Sequence, residues 1–279
     1  MTAIDRRTML VGTAAAIVGG LAPASAQPQP PRIEMQPDFG DVFAEADTTG
    51  TFAVLDVAGN RIVVTDRERA EKGFLPASTF KIPNSLIALD TGVVPDADAT
   101  IYRWDKVPRD FDAWNRDHTL RSAFAASAVP VYQEIARKIG PERMQASVDK
   151  FDYGSRDIGG AIDTFWLNGK LRISAMQQIA FLRKLHDGDL PVSTRSQEIV
   201  RDIMAIEQTE FGALRGKTGA VGVVTGHGDK ATMGWLVGWV ERAGKPPYIF
   251  AMNIDVREPQ HLALRLPLTK AFLKRATPL

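Results

Sequence analysis

Strand-like sequence stands at the two ends of this chain with helical sequence between, and that separation constrains the fold most. Phe52 to Val57 and Arg61 to Thr65 are apolar runs on either side of Ala58-Gly59-Asn60, a turn-forming centre that predicts a β-hairpin. The next strand-like runs are Leu214 to Lys217, Thr232 to Glu241 and Tyr248 to Val256. From about Ser78 to Gln208 the pattern is helical. Val131 to Ile139 has helical spacing, and Ser174-Ala175-Met176-Gln177 is a capping box opening a helix to about Leu185. A last helix has Pro267 near its start and Leu268, Ala271 and Phe272 on one face. Strands that bracket a helical middle predict one interrupted α+β domain, with a cleft between sheet and helices.

The first 26 residues are an address rather than part of the fold. Arg6-Arg7 precede the apolar stretch Met9 to Leu21, and Ala24-Ser25-Ala26 is an A-x-A-like cleavage site, so residues 1–26 are expected to be a signal peptide of the general secretory or twin-arginine kind. The stretch is shorter than the roughly 20 residues a membrane span needs, and Gly12, Gly19 and Gly20 interrupt it. The expected localisation is therefore exported and periplasmic, without a stable membrane anchor. Pro28, Pro30, Pro31 and Pro37 predict an extended segment over residues 27–45, leaving 46–279 as a single catalytic domain.

Composition narrows the chemistry. With 34 Lys+Arg against 33 Asp+Glu the chain lacks the basic footprint of a nucleic-acid partner, and a small molecule is the expected one. No cysteine is present, which excludes thiol catalysis and Cys-based zinc sites. His118, His186, His227 and His261 form no H-x-H or H-x-x-x-H spacing, so no metal is expected. A G-x-S-x-G elbow is also missing.

Ser78-Thr79-Phe80-Lys81 puts a hydroxyl and an amine on one face of a helix start, where lysine can serve serine as base and backbone N–H groups favour a developing anion. The spacing alone is weak evidence, because Ser147-Val148-Asp149-Lys150 repeats it. Downstream company separates the two: Ser127-Ala128-Val129 and Lys217-Thr218-Gly219 follow Ser78 in the order of penicillin-recognising serine enzymes, whereas Ser147 lies beyond the Ser127 element.

From about residue 50 to 275 the sequence resembles the class D (oxacillinase-type) serine β-lactamases. The resemblance is carried by Ser78 to Lys81 with Ile-Pro-Asn-Ser, Tyr102-Arg103-Trp104-Asp105 and Trp114 through Arg121. It continues in Ser127 to Gln133, Phe165-Trp166-Leu167, Leu171 to Ser174, Lys217-Thr218-Gly219 and Gly234 to Trp239. It implies a serine β-lactamase/penicillin-binding transpeptidase-like fold, an antiparallel sheet flanked by helices with an inserted mainly helical region. It also implies hydrolysis of penicillin-type β-lactams through an acyl-Ser78.

By matching position, the resemblance makes the backbone N–H groups of Ser78 and Ala220 the oxyanion hole. Lys81 becomes N6-carboxylysine, a general base needing carbon dioxide or bicarbonate but no other cofactor, and Trp166 supports that carbamate. Ser127 relays a proton to the departing nitrogen. Lys217, Thr218 and Arg265 hold the substrate carboxylate beside Gly219, while Val129 and Trp104 form apolar walls. One departure is Tyr153-Gly154-Ser155, where the family usually has Asn in the third place. No E-x-x-L-N run supplies a separate deacylation base. A penicillin-sensing module and a peptidoglycan transpeptidase share the motif order and are the competing readings; turnover separates them. The chain is expected to be a monomer or homodimer.

Overall fold

The structure, a computed structural model, describes residues 29–276. The signal-peptide reading of 1–26 lies outside these residues. Among the described residues, those from Pro31 onward make one compact unit.

The two ends of the chain do share one sheet. Strands β1 (Arg32–Met35), β2 (Gly50–Asp56), β3 (Arg61–Val64), β4 (Ala205–Thr209), β5 (Gly212–Val221), β6 (Met233–Arg242) and β7 (Lys245–Asp255) lie in the order β1-β3-β2-β7-β6-β5-β4. The hairpin β2–β3 turns at Ala58-Gly59-Asn60, and Asn60 takes a positive φ of 45°, as such turns favour. Strand β2 then pairs with β7 across nearly two hundred residues of chain, Gly50 opposite Ile254 and Asp56 opposite Tyr248.

Helices occupy both faces. On one side are α1 (Asp41–Glu45) and the terminal α9 (Arg265–Ala276). The middle of the chain supplies α3 (Lys81–Asp90), α4 (Leu120–Ala125), α5 (Val129–Ile139), α6 (Pro141–Phe151), α7 (Ala175–Asp187) and α8 (Thr194–Ile203), with the short α2 (Arg67–Glu71) before them. Because both faces are covered, β6 and β7 read as near-continuous apolar runs. Residues still alternate: Trp235, Val237, Trp239, Ile249 and Ala251 face the helical middle, and Leu236, Val240, Phe250 and Met252 face α9. On that second face Phe272 stacks on Phe52 with ring centres 4.9 Å apart and meets Phe43 at 4.5 Å.

Two expectations need correction. The sheet is mixed rather than antiparallel, since β1 runs parallel to β3 with Arg32 opposite Arg61 and Met35 opposite Val64. Segment 27–45 accordingly contains a strand, the Pro37–Gly40 turn of 3-10 helix and α1. The prolines flank the strand instead of interrupting it: Arg32 to Gln36 are proline-free, and Arg32 N–H and Gln36 N–H donate to Asn60 O (3.0 Å) and Val64 O (2.8 Å). The helical region stops at Ile203, because β4 adds an edge strand within the stretch read as helical. The Ser174 capping box is present as read, with Ser174 and Gln177 bonded reciprocally at 3.0 and 3.1 Å.

Replacing a fully buried ring leaves a cavity that its neighbours cannot fill. Phe272→Ala is expected to cost about 3–5 kcal/mol, read as a shift of the chemical denaturation midpoint. Ile206→Ala on the outer strand, where the side chain is 39% exposed, should stay within about 0.5 kcal/mol of the parent.

Candidate active site

Ser78 sits in a single turn of 3-10 helix, Ala77–Phe80, that runs directly into α3. Ala77 is held at φ +47°, a conformation that an L side chain adopts only when its surroundings impose it. The surroundings are specific. Ala77 N–H donates to Trp166 O (3.0 Å), the Thr79 hydroxyl donates to Pro76 O (2.7 Å), and the Trp235 indole donates to Leu75 O (3.0 Å). Gln178 of α7 donates its amide to Thr79 Oγ1 (2.9 Å). Phe80 fills the space beneath, its ring 5.0 Å from Phe165 and 5.6 Å from Trp166. Thr79 thus anchors the turn and Phe80 packs beneath it.

Lys81 Nζ donates to Ser78 Oγ at 2.9 Å. The residue is only 1% exposed, and burial, followed by the charge of Lys217, holds its pKa well below the usual lysine value. Its Nζ lies 5.0 Å from the Tyr132 ring centre. Tyr132 and Ser85 share a hydrogen bond of 2.8 Å, and the Ser85 hydroxyl donates to Lys81 O (2.7 Å). Trp166 is completely buried, and its indole nitrogen has no hydrogen-bond partner among the described residues.

Ser127 terminates the α4 turn with φ +55° and its N–H on Phe124 O (3.1 Å); this kink puts it beside Ser78 in one cavity. On the opposite wall, β5 runs past the Ser78 turn. A side-chain carbon at Gly219 would come within 3.2 Å of Pro76 O, Thr79 Cγ2 and Trp235 Cβ, so glycine lets the strand approach this closely. Lys217 is 4% exposed; burial and then the Arg265 charge push its pKa down to about 7. Its Nζ donates to Thr218 Oγ1 at 3.2 Å. Arg265 donates to Gly219 O (2.7 Å) and Leu262 O (2.6 Å), and burial lowers it to about 10, so it remains cationic at neutral pH.

The result is a cavity of about 140 Å³ lined by Ser78, Ser127, Val129, Thr218, Gly219, Ala220 and Arg265 among others. Seven of the residues singled out in the sequence therefore converge, while Lys81 joins them through Ser78 and Lys217 through Thr218. Trp104 does not join them. Its indole donates to Val107 O (3.1 Å), and it lines a separate cavity of about 210 Å³. The aromatic walls are Trp114 and Phe111 instead, with Val223 and Leu262. Trp114 had a signal, since it opens one of the family-like runs; Phe111, Val223 and Leu262 had none.

Ser155 is explained by backbone. Its N–H donates to Arg172 O (2.7 Å), and its Oγ accepts from Arg172 N–H (3.0 Å). Ser147 is a helix-surface hydroxyl donating to Arg143 O (2.8 Å), and Lys150 is exposed. The described residues contain no group of His, Asp and Glu able to hold a metal, and no described helix is long and apolar enough to cross a membrane.

A buried lysine bonded to a serine at a helix start, with β5 packed against that turn, is the arrangement at this cavity, and the penicillin-binding protein transpeptidase domain matches residues 45–274. Beta-lactamase OXA-48 of Klebsiella pneumoniae is 46% identical over 84% of this chain and 85% of its own length. Beta-lactamase OXA-10 of Pseudomonas aeruginosa is 42% identical over 80% and 82%. Among solved structures, the class D β-lactamase FUS-1 (OXA-85) of Fusobacterium nucleatum superposes with a TM-score of 0.80 at 36% identity, covering 88% of this chain and 99% of that one. The class D β-lactamase YbXI of Nostoc also gives 0.80, at 42% identity over 86% and 99%. The chain belongs to the class D serine β-lactamases.

Since Ser155 braces Arg172, Ser155→Ala is expected to lower stability by about 0.5–1.5 kcal/mol in thermal or denaturant unfolding. The rate of hydrolysis of a chromogenic cephalosporin by the folded variant should be unchanged.

Proposed function

We propose that the chain opens the β-lactam ring of penicillin-type antibiotics by acylating Ser78 and hydrolysing the acyl-enzyme, and so confers β-lactam resistance. Lys81, as its carbamate, is the general base. The observation that carries this reading is the Ser78–Lys81 contact of 2.9 Å, together with a buried Trp166 indole N–H that has no partner among the described residues. Carbamylation needs a neutral amine, and burial supplies one by disfavouring the ammonium form. A buried anion needs donors, and the Trp166 Nε1 and the Ser78 hydroxyl are suited to that role. When formed from carbon dioxide, the group supplies a carboxylate-like base at Lys81, whose amine is bonded to Ser78 and whose pKa no acid raises.

The remaining residues divide the work. The Ser78 and Ala220 N–H groups stabilise the oxyanion, and Ser127 delivers the proton to the lactam nitrogen. Lys217, Thr218 and Arg265 bind the antibiotic carboxylate, with Val129 against its apolar face. The planar Arg265 fork suits a carboxylate, and an anionic substrate offsets both the burial and the lesser Arg265 repulsion that push Lys217 down. Residues 1–26 direct export to the periplasm, and the mature protein is a monomer or homodimer.

Steady-state turnover of a penicillin and a chromogenic cephalosporin, with and without bicarbonate, tests this reading. Ser78→Ala and Lys81→Ala should each lose at least about a thousandfold in kcat/KM. Lowering the pH protonates Lys81 and empties the carbamate, so activity should fall on the acid side and recover when bicarbonate is added. One stoichiometric burst followed by a stable acyl-Ser78 would overturn the reading in favour of a penicillin sensor or binding protein.

A further inference from the structure

The mouth of the Ser78 cavity is made by two loops that are bonded to each other. One is residues 105–115, which carries Phe111 and Trp114; the other is the β5–β6 loop, residues 222–232, which follows Val221 and carries Val223. Each is braced internally. In the first, Arg109 pairs with Asp105 at 2.7 Å, Arg109 N–H donates to Asn115 Oδ1 (2.8 Å), and the Asn115 amide donates to Arg109 O (2.8 Å). In the second, Asp229 Oδ2 accepts from the N–H groups of Val224 (3.0 Å), Thr225 (2.7 Å) and Gly226 (2.6 Å). Two bonds join them: Asp110 N–H donates to Gly226 O (2.7 Å), and Gly228 N–H donates to Asp110 Oδ2 (2.6 Å). At the same place Gly226 (φ +79°) lies on the indole of Trp114, where an added side-chain carbon would come within 2.9 Å of the ring.

We propose that this Asp110 clasp selects substrates by the size of the acyl side chain. The inference rests on Ser78 being the acylated residue. Closed, the cavity measures about 140 Å³, well below the roughly 300–1,000 Å³ of sites that enclose a drug-sized ligand. The acyl side chain of a β-lactam must therefore lie in the mouth, between Phe111 and Trp114 on one loop and Val223 on the other. A compact side chain fits with the clasp intact, whereas a bulky one separates the walls and breaks the bonds at Asp110. The Gly228–Asp110 bond is exposed to water, so the clasp opens there without unfolding either internally braced loop.

The test compares the rate of Ser78 acylation by benzylpenicillin and by oxacillin, followed by quenched-flow mass spectrometry, in the mature protein and in Asp110→Ala and Asp110→Asn. Asp110 touches neither Ser78 nor Lys81, and Asn keeps an oxygen acceptor for Gly228 N–H. Asp110→Ala should raise the oxacillin-to-benzylpenicillin ratio by about tenfold or more, within the range that side-chain size commonly commands. Asp110→Asn should stay near the parent. Hydrogen exchange should show the Gly228 amide losing protection in Asp110→Ala and keeping it in Asp110→Asn. Lost protection with an unchanged ratio would overturn the proposal, and so would unchanged protection in Asp110→Ala. Because acylation is read directly, slow deacylation would count against the hydrolase reading alone; no acylation by either penicillin would overturn both.

Discussion

Lys81 carries its amine into a site where no carboxylate meets it, and much of the surrounding structure follows from that placement. A buried ammonium without a counter-ion is costly, and here Lys217 sets a charge of the same sign against Lys81, as Arg265 does against Lys217. Among the described residues none of the three has an acidic ion-pair partner. The conflict is relieved by neutralising the lysine or by bringing in anions. A carbamate on Lys81 and a carboxylate on the substrate would do both, on the two sides of Ser78.

Holding the lysine there takes a backbone that cannot drift. The Ala77 strain, the Trp166 carbonyl, the Trp235 indole and the Gln178 amide fix the Ser78 turn from the loop, the sheet and α7 in turn. Gly219 then brings β5 against that turn. The sheet thereby enters the chemistry: pairing of Gly219 with Trp235 and of Lys217 with Val237 sets where the cationic wall stands relative to Ser78. A register slip of one residue would turn Lys217 to the opposite face.

The parts legible in the sequence are those governed by period or fixed spacing. The β2–β3 hairpin, β5 to β7, the Ser174 cap and the three ordered motifs all belong to this kind. β1 and β4 escaped for different reasons. Proline counts say where N–H donors are missing, not that the four residues of β1 between them lack donors. β4, Ala-Ile-Glu-Gln-Thr, is an exposed edge with too little apolar content to stand out from the helices before it. Trp104 was misplaced because a loop has no side-chain period; its indole turns back onto its own loop at Val107, and Trp114, ten positions on, takes the wall.

That difference separates the chemistry of the site from its entrance. Ser78, Lys81 and Lys217 are carried by a helical turn and a strand, where residue spacing determines direction, so their convergence could be anticipated. Phe111, Val223 and Leu262 stand outside those elements, and their positions depend on contacts such as Asp110 with Gly228 that join residues over a hundred positions apart. The Ser155 departure falls on neither side: its hydroxyl spans Arg172 backbone, a task that needs one acceptor and not an amide. Replacement of the usual Asn there changes how a loop is tied without touching the cavity, whereas the two loops at the mouth present their side chains directly to whatever enters.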